Sequence, residues 1–450
     1  MRTTIITMLL ATNLMPGTVM AETDYIVHIS ADQPRRAQVT ASIEPGQSGL
    51  CFTRSAEDTG LTHGWATFIH KLSVKDTDGQ SVNATYDGQG CWNLNLKSRV
   101  TVSYTMLLLH DKFPNQPGDD ELAYAGDWGQ FWTGRALFIE GKPSAPTRVE
   151  FSLPTGWAVT APWPSADNTG LVFAPPDTDA LLDSGFMLGK HESLEFKHGE
   201  TIIHMGLSGA GPLARRAELK KTLDRALGSF TDLHKGSTVG DLAVFLSKGR
   251  VLGGGVMGRT ISMLVVDEVP DEFMPVLAYI VIHEAFHLWN ANLNYENDTD
   301  MYWFSEGFAE YFSHFELLQQ GILDNKTLLA KFQERADKYV AAVGQLSMIE
   351  TGQQKLDNYN LIYSGGMMAT LALDMHILKT SNGRHRLANI MPALFASYRL
   401  ENNKPLNLDT FASVIEEQTG VDCREILQRY VAGTEVMSTA SLLQQLASTF

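Results

Sequence analysis

The sequence predicts a multidomain α+β protein, and three features of the chain lead to this class. Residues 22 to about 207 form short apolar or alternating runs separated by turn residues, which is typical of strands. From about residue 271 onward, nearly every segment has helical periodicity. The chain has 450 residues, enough for two or three domains of about 100–200 residues each.

The N-terminal region, residues 22–207, is predicted to be a β domain. Turn pairs such as Asp78-Gly79 and Asp87-Gly88 separate its apolar runs, and no long helical period interrupts them. The clearest strands are predicted over Tyr25–Ile29, Val100–Leu109, Ala136–Ile139 and Val149–Leu153.

The rest of the chain is predicted to form a middle domain over residues 208–345 and a helical domain over residues 346–450. The middle domain begins with a helix over Ala214–Leu227 and continues with strands over Leu242–Ser247 and Ser262–Val266. The later helices are predicted over Met274–Trp289, Ser305–Leu318, Asn325–Val343, Gly366–Leu378, Arg384–Tyr398, Leu408–Thr419, Arg424–Val431 and Ser438–Leu446.

The first 21 residues have the layout of a signal peptide. Arg2 supplies the positive start, Ile5–Met15 is short and mostly apolar, and Val19-Met20-Ala21 has the small residues of a cleavage site. The apolar run is too short to span a bilayer, so no membrane span is predicted. The alternative is a buried N-terminal helix. We expect export to the periplasm or the extracellular space.

Three cysteines are too few for a disulfide framework or for a zinc module built on cysteine. An exported protein meets conditions in which disulfides persist. We therefore hypothesise a pair between Cys51 and Cys91, which leaves Cys423 as the odd cysteine.

The charge balance excludes some classes of partner. The chain has 35 Lys and Arg against 51 Asp and Glu, a formal net charge of −16. Such a surface does not neutralise nucleic-acid phosphates or attract an anionic membrane. The sequence leaves the oligomeric state open.

The segment that indicates chemistry is His283-Glu284-Ala285-Phe286-His287, inside an apolar helical stretch. Four residues advance a helix by about 400°, so both histidines lie on one face, one turn apart. Two imidazoles placed in this way can bind one tetrahedral metal ion, with Glu284 beside it. The alternative is a pair of core histidines.

The downstream sequence supplies further acids for such a site. Glu306 follows His287 after 18 residues and is the candidate third ligand, with Ser305 as the predicted N-cap of its helix. Glu310 lies one turn further and can accept a hydrogen bond from the distal N–H of a metal-bound histidine. The alternative for Glu310 is a solvated helix acid. Asn290 is a candidate to support the zinc helix, although a helix C-cap explains it equally well.

With these motifs the chain resembles the gluzincin metallopeptidases, and within them the glycyl aminopeptidase family. The likeness rests on the segments 283–290, 303–309, 363–366, 371–374 and 429–435, and weaker likeness covers the β region. It implies a β-sandwich-like N-terminal domain, a thermolysin-like zinc catalytic domain and a C-terminal helical domain. Many members also carry a C-terminal PDZ module, which we do not expect here because the sequence leaves no room for one after Glu435.

The resemblance also implies the roles of the site residues. His283, His287 and Glu306 would hold one Zn²⁺ per chain, and Glu284 would be the general base. Tyr363 matches the family tyrosine that stabilises the oxyanion; the alternative is an ordinary half-buried tyrosine.

One stretch departs from the family pattern. Family members have glycines, an apolar residue and then Glu-His on a strand that lines the substrate, where the Glu binds the free N-terminal ammonium. The matching residues here are Gly254, Gly255, Val256, Met257, Gly258 and Arg259. A methionine cannot pair with an ammonium, so Met257 removes the contact that enforces removal of N-terminal residues.

The sequence therefore predicts an exported zinc metallopeptidase that acts on peptides or proteins with altered recognition of the N-terminus. Two alternatives remain. A true aminopeptidase would bind the N-terminus with other acids, and a catalytically silent zinc scaffold or binding protein would use the β domain.

Overall fold

The computed structural model describes residues 23–52, 63–109, 123–143, 146–249, 252–355 and 357–450. The predicted signal peptide lies outside these residues. The strands of the N-terminal half are β1 Thr23–His28, β2 Arg36–Ile43, β3 Leu50–Cys51, β4 Ile69–Lys75, β5 Ser81–Val82, β6 Ala84–Tyr86, β7 Cys91–Leu94, β8 Val100–Leu107, β9 Tyr124–Gly126, β10 Gly129–Thr133, β11 Thr147–Ser152, β12 Ala158–Thr160, β13 Val172–Phe173 and β14 Gly185–Gly189. The remaining strands are β15 Glu192–His198, β16 Thr201–Leu207, β17 Leu242–Lys248, β18 Gly253–Met257 and β19 Thr260–Val265.

The helices concentrate in the second half of the chain, and the predicted multidomain α+β class is confirmed. They are α1 Gly134–Leu137, α2 Thr178–Leu182, α3 Ala210–Ala214, α4 Arg216–Leu233, α5 Met274–Asn290, α6 Tyr302–Gln319, α7 Asn325–Ala342, α8 Met348–Thr351, α9 Gly366–Thr380, α10 Met391–Ser397, α11 Leu408–Thr419, α12 Arg424–Tyr430 and α13 Thr439–Ala447.

The N-terminal domain packs a seven-stranded sheet, in the order β13-β11-β1-β2-β8-β4-β5, against a four-stranded sheet, β12-β14-β10-β9. Alternation along β2 buries every second residue from Ala37 to Ile43, which places one face of the strand on the core. Phe151 of the larger sheet meets Phe186 of the smaller one with ring centroids 5.6 Å apart. The domain is therefore sandwich-like.

A third, three-stranded sheet has the order β3-β7-β6, and a disulfide joins Cys51 of β3 to Cys91 of β7, as hypothesised. Cys423 is buried and free. Burial raises the pKa of its thiol to about 12, which keeps the thiol protonated and unreactive.

The prediction of a strand over Ala136–Ile139 is wrong. The chain forms the short helix α1 there, because the Thr133 side chain accepts a hydrogen bond from the Ala136 N–H and caps it. Gly134 packs so closely on the Leu181 carbonyl that an added Cβ would lie 2.0 Å from it.

The second large unit is built on a five-stranded sheet in the order β15-β16-β17-β19-β18. β15 and β16 precede residue 208, so this sheet crosses the boundary predicted there. β18 lies at the edge and pairs only with β19 among the described strands.

Helices α4 and α5 pack on this sheet, α6 packs on α5, and all three share one apolar core with the C-terminal helices. Phe286 of α5 meets Phe230 of α4 and stacks on Phe312 of α6, each at a centroid distance of 5.2 Å. Trp303 of α6 contacts Phe411 of α11 at 5.9 Å. The C-terminal helices thus pack against α6 and fix its position.

Two predicted helix starts differ from the structure. α6 begins at Tyr302 and not after Ser305, because Trp303 and Phe304 are fully buried and packing continues the helix backward. The helix predicted from Arg384 begins as a 3₁₀ turn at Leu387. Arg386 is extended, and the Asp374 carboxylate accepts hydrogen bonds from its side chain and from the Leu387 N–H, which fixes the start of the turn.

Among the described residues, one helical stretch, Leu361–Thr380, is long and apolar enough to cross a membrane. Within it, 83% of the most apolar window is buried inside the protein, and a core helix passes the same test.

His234 is a buried histidine between α4 and α5 that should make the fold sensitive to acid. Its Nδ1 donates to the Phe230 carbonyl at 2.6 Å, its ring stacks on Trp289, and burial lowers its pKa to about 4. Because the unfolded histidine takes up a proton near pH 6.5 and the folded one does not, stability is lost as the pH falls from 6.5 toward 4.

We expect acidification from pH 7.5 to pH 5 to cost about 2 kcal/mol through His234 alone. Urea unfolding with a chelator present at both pH values measures this loss. His234→Gln should lose about 2 kcal/mol less than the unsubstituted protein, whereas His70→Gln at an exposed site should not differ from it. Equal losses in all three proteins would contradict the assignment.

Candidate metal centre

Helices α5 and α6 bring His283, His287 and Glu306 together, as the sequence predicted. The two Nε2 atoms lie 3.1 Å apart, and Glu306 Oε2 lies 3.3 Å from His283 Nε2 and 3.4 Å from His287 Nε2. One ligand atom from each residue falls within 4.8 Å of the others, and all three residues are buried. Two imidazole nitrogens and one carboxylate oxygen are a donor set that zinc uses in catalytic sites, so the residues fit the ion.

The charges around this triad also suit a cation. Burial opposes ionisation of Glu306, but Lys355 and His287 hold the pKa of its carboxyl well below the usual range. Burial likewise lowers the pKa of His287, yet the carboxylates of Glu306 and Glu284 outweigh it and raise that pKa to about 9. Burial lowers the pKa of His283. Without a metal ion, His287 thus holds a proton, and a metal cation would displace that proton on binding.

Asn290 fixes the ring of His287. The Nδ1–H of His287 donates to Asn290 Oδ1 at 2.9 Å, and the Asn290 amide donates to the Ser305 carbonyl of α6 at 2.8 Å. This link turns Nε2 toward the centre and ties the two site helices together.

The partner of His283 differs from the prediction. Glu310 is fully buried, but the Tyr279 hydroxyl lies between it and the histidine, donating to Glu310 Oε1 and standing 3.5 Å from His283 Nδ1. Arg335 donates to the same Glu310 oxygen at 2.8 Å. Glu310 therefore reaches the site through Tyr279, and Arg335 balances its buried charge. Sequence reasoning singled out neither Tyr279 nor Arg335.

Glu284 lies against the edge strand β18. A Cβ added at Gly254 would lie 2.7 Å from Glu284 Cγ and 3.0 Å from its Oε1. Glycine at this position therefore lets the strand approach the carboxylate of Glu284, a residue that is 6% exposed.

Tyr363 also lies beside His283, on the π-helical turn Leu361–Gly365 that precedes α9. Its ring is nearly parallel to the His283 ring at a centroid distance of 6.2 Å and stacks on Tyr359 at 4.0 Å. Burial raises the pKa of its phenol well above the usual range, so the hydroxyl stays a hydrogen-bond donor.

Lys355 is a further residue of the site that the sequence did not reveal. Its Nζ donates to Glu306 Oε1 at 2.7 Å and lies 4.7 Å from the centre of the Tyr302 ring. It follows a short 3₁₀ turn, Gly352–Gln354, and belongs to none of the motifs, so no sequence pattern pointed to it.

The residues of the predicted substrate strand have two different environments. Gly254, Gly255 and Val256 lie on β18, whose outer edge can receive an extended peptide. The side chain of Met257 packs on an apolar cluster between the two large units, which consists of Trp128, Phe131, Met187, Ala243 and Phe245.

Gly258 and Arg259 form the turn that follows β18. Gly258 has φ +51°, and a Cβ there would lie 2.4 Å from the Asp183 carbonyl, so this position has no room for a histidine. Arg259 is exposed, and its guanidinium lies beside Gly240.

Two family models match the chain. The Peptidase M61 N-terminal domain matches residues 24–190, and the M61 glycyl aminopeptidase model matches residues 277–364, which include every residue of the metal centre. Together they cover more than half of the chain. No curated protein matches it.

Solved structures share the fold. An aminopeptidase N family protein from Idiomarina loihiensis is 20% identical with a TM-score of 0.78, over 94% of this chain and 78% of that one. An M1 zinc metallopeptidase from Deinococcus radiodurans is 16% identical with a TM-score of 0.56, over 93% of this chain and 94% of that one. A mutant of the Deinococcus radiodurans enzyme bound to a Tyr-Ser-Ala substrate is 15% identical with a TM-score of 0.56, over the same shares of each chain.

The first matched model spans the sandwich-like domain, and the second contains the His-His-Glu centre. The chain is therefore a gluzincin aminopeptidase-like protein of the M61 glycyl aminopeptidase family.

Proposed function

We propose that the protein is an exported zinc metallopeptidase that hydrolyses peptide bonds without a conventional anchor for a free N-terminus. The observation that carries the proposal is the buried His283, His287 and Glu306 cluster with Glu284 and Tyr363 beside it. Export is supported by the disulfide between Cys51 and Cys91, since such bonds persist in oxidising compartments.

His283, His287 and Glu306 would hold the zinc ion. Zinc bound there would act as a Lewis acid and bring the pKa of a bound water to about 7. Glu284 takes a proton from the attacking water and later passes it to the leaving amine. The Tyr363 hydroxyl donates a hydrogen bond to the carbonyl oxygen as that oxygen becomes negative. The edge of β18 aligns the substrate backbone.

The altered N-terminal recognition rests on Met257. Its side chain joins an apolar cluster and offers no charge to an ammonium group. The substrates we propose are therefore internal peptide bonds, or peptides that lack a free amine at the N-terminus. A true aminopeptidase would need a different acid for the same contact.

The test compares one peptide in two forms, with a free α-amine and with an acetylated one. An ammonium–carboxylate contact contributes about 1.5–3 kcal/mol, which is a factor of about 10 or more in kcat/KM. We expect the two forms to differ by less than about tenfold. A larger preference for the free amine would favour the aminopeptidase, and failure to cleave either form, or any peptide of a library, would favour a silent scaffold.

A further inference from the structure

The Glu306 carboxylate has a different partner on each of its two oxygens. Oε2 faces the histidines, at 3.3 Å from His283 and 3.4 Å from His287. Oε1 accepts a hydrogen bond from Lys355 Nζ at 2.7 Å. A carboxylate held in this way offers one oxygen to an ion and cannot rotate freely to offer both.

The loop that carries Lys355 is held in place by contacts with Thr299. Gly352 packs so tightly on Thr299 that an added Cβ would lie 1.8 Å from its carbonyl oxygen, and Gln353 donates to the Thr299 hydroxyl at 2.7 Å. The preceding helix α8 is capped by a pair of reciprocal hydrogen bonds: the Ser347 side chain accepts from the Glu350 N–H, and the Glu350 side chain accepts from the Ser347 N–H. The position of Lys355 is therefore set by the fold.

The surroundings of the ammonium group keep it beside the metal centre. It lies 4.7 Å from the centre of the Tyr302 ring and 5.6 Å from that of Tyr363. The Lys355 side chain is 27% exposed and that of Glu306 is 7% exposed, so the pair is largely shielded from water. Two ring faces and a carboxylate favour a cation at this point.

We propose that Lys355 is a positioning residue that holds Glu306 with a single oxygen turned to the metal. This role rests on the metal site of the proposed function. Losing a hydrogen-bond partner of a metal ligand typically weakens metal binding about 10–100-fold. A lysine that acted only through its charge would repel the divalent ion, so its removal would strengthen zinc binding.

The experiment measures the zinc dissociation constant by competition with a chromophoric chelator. Lys355→Met should weaken zinc binding about 10–100-fold, and Lys355→Arg, which keeps a charged donor, should recover most of that loss. Lys338→Met is the matched control, because Lys338 pairs with Glu334 on the surface of α7 at 2.8 Å. The control should bind zinc like the unsubstituted protein.

Unchanged or tighter zinc binding by Lys355→Met would overturn the proposal, and so would a Lys355→Arg variant as weak as Lys355→Met. If Lys355→Met does not fold, Lys355→Gln takes its place with the same expected direction. The assay contains no peptide. Zinc binding without peptide cleavage would therefore contradict the proposed function and leave the role of Lys355 intact, whereas an unsubstituted protein that binds no zinc would contradict both.

Discussion

Replacing Glu284 with Gln is expected to lower kcat/KM for peptide hydrolysis by about 10³-fold or more while zinc stays bound. Glutamine has nearly the shape of glutamate, so the packing against Gly254 should survive. An amide cannot accept the proton of the attacking water, and a general base contributes about 10²–10⁴-fold to such a reaction. Steady-state kinetics and metal analysis of the same preparation measure both quantities.

Glu316→Gln is the matched control for this substitution. Glu316 lies on α6, is 3% exposed and bonds to Gln320, so it undergoes the same change in a buried place outside the metal centre. We expect it to keep full activity. If Glu284→Gln retains most of the activity, Glu284 is not the base and the mechanism is wrong.

Replacing Tyr363 with Phe is expected to lower kcat by about 10²–10³-fold and to change KM little. One hydrogen bond to a developing oxyanion has about this effect, because it strengthens as the charge forms. The ring contacts with His283 and Tyr359 do not need the hydroxyl, so the site should keep its shape.

Tyr359→Phe removes the same group from the ring stacked on Tyr363 and should leave kcat within about threefold. Equal losses in both variants would mean that the hydroxyls act through local packing. A larger loss in Tyr359→Phe than in Tyr363→Phe would mean that Tyr359, and not Tyr363, makes the oxyanion contact.

The two histidines of the metal triad could be predicted from the residues themselves because their geometry is local. His283 and His287 lie on the same helix, so their spacing alone places both rings on one face. The position of Glu306 depends on how α6 packs on α5, and the resemblance to the gluzincins supplied that information. Its helix was nevertheless predicted to start too late, since burial of Trp303 and Phe304 outweighed the capping preference of Ser305.

The contacts around the triad could not be predicted, because they join residues distant in sequence. Lys355 follows Glu306 by 49 residues and meets it only through the loop that rests on Thr299. Tyr279 separates Glu310 from His283, although a direct bond was consistent with the spacing. No pattern of period two or 3.6 contains such tertiary contacts.

The domain boundary predicted at residue 208 divides the five-stranded sheet for a similar reason. β15 and β16 follow the sandwich-like domain in sequence and have the same alternating character as its strands. Only the parallel pairing of β16 with β17 assigns the hairpin to the second sheet. Sequence pattern reveals strands, but not which sheet they join.

The central claim is that one zinc ion at His283, His287 and Glu306 makes this protein a peptidase. Digestion of an unbiased peptide library, read by mass spectrometry, tests it when the protein is first stripped of metal and then given zinc in steps. We predict no cleavage by the stripped protein and cleavage that rises to a plateau at about one zinc per chain. Cleavage that persists without metal, or none at full zinc occupancy, would contradict the claim.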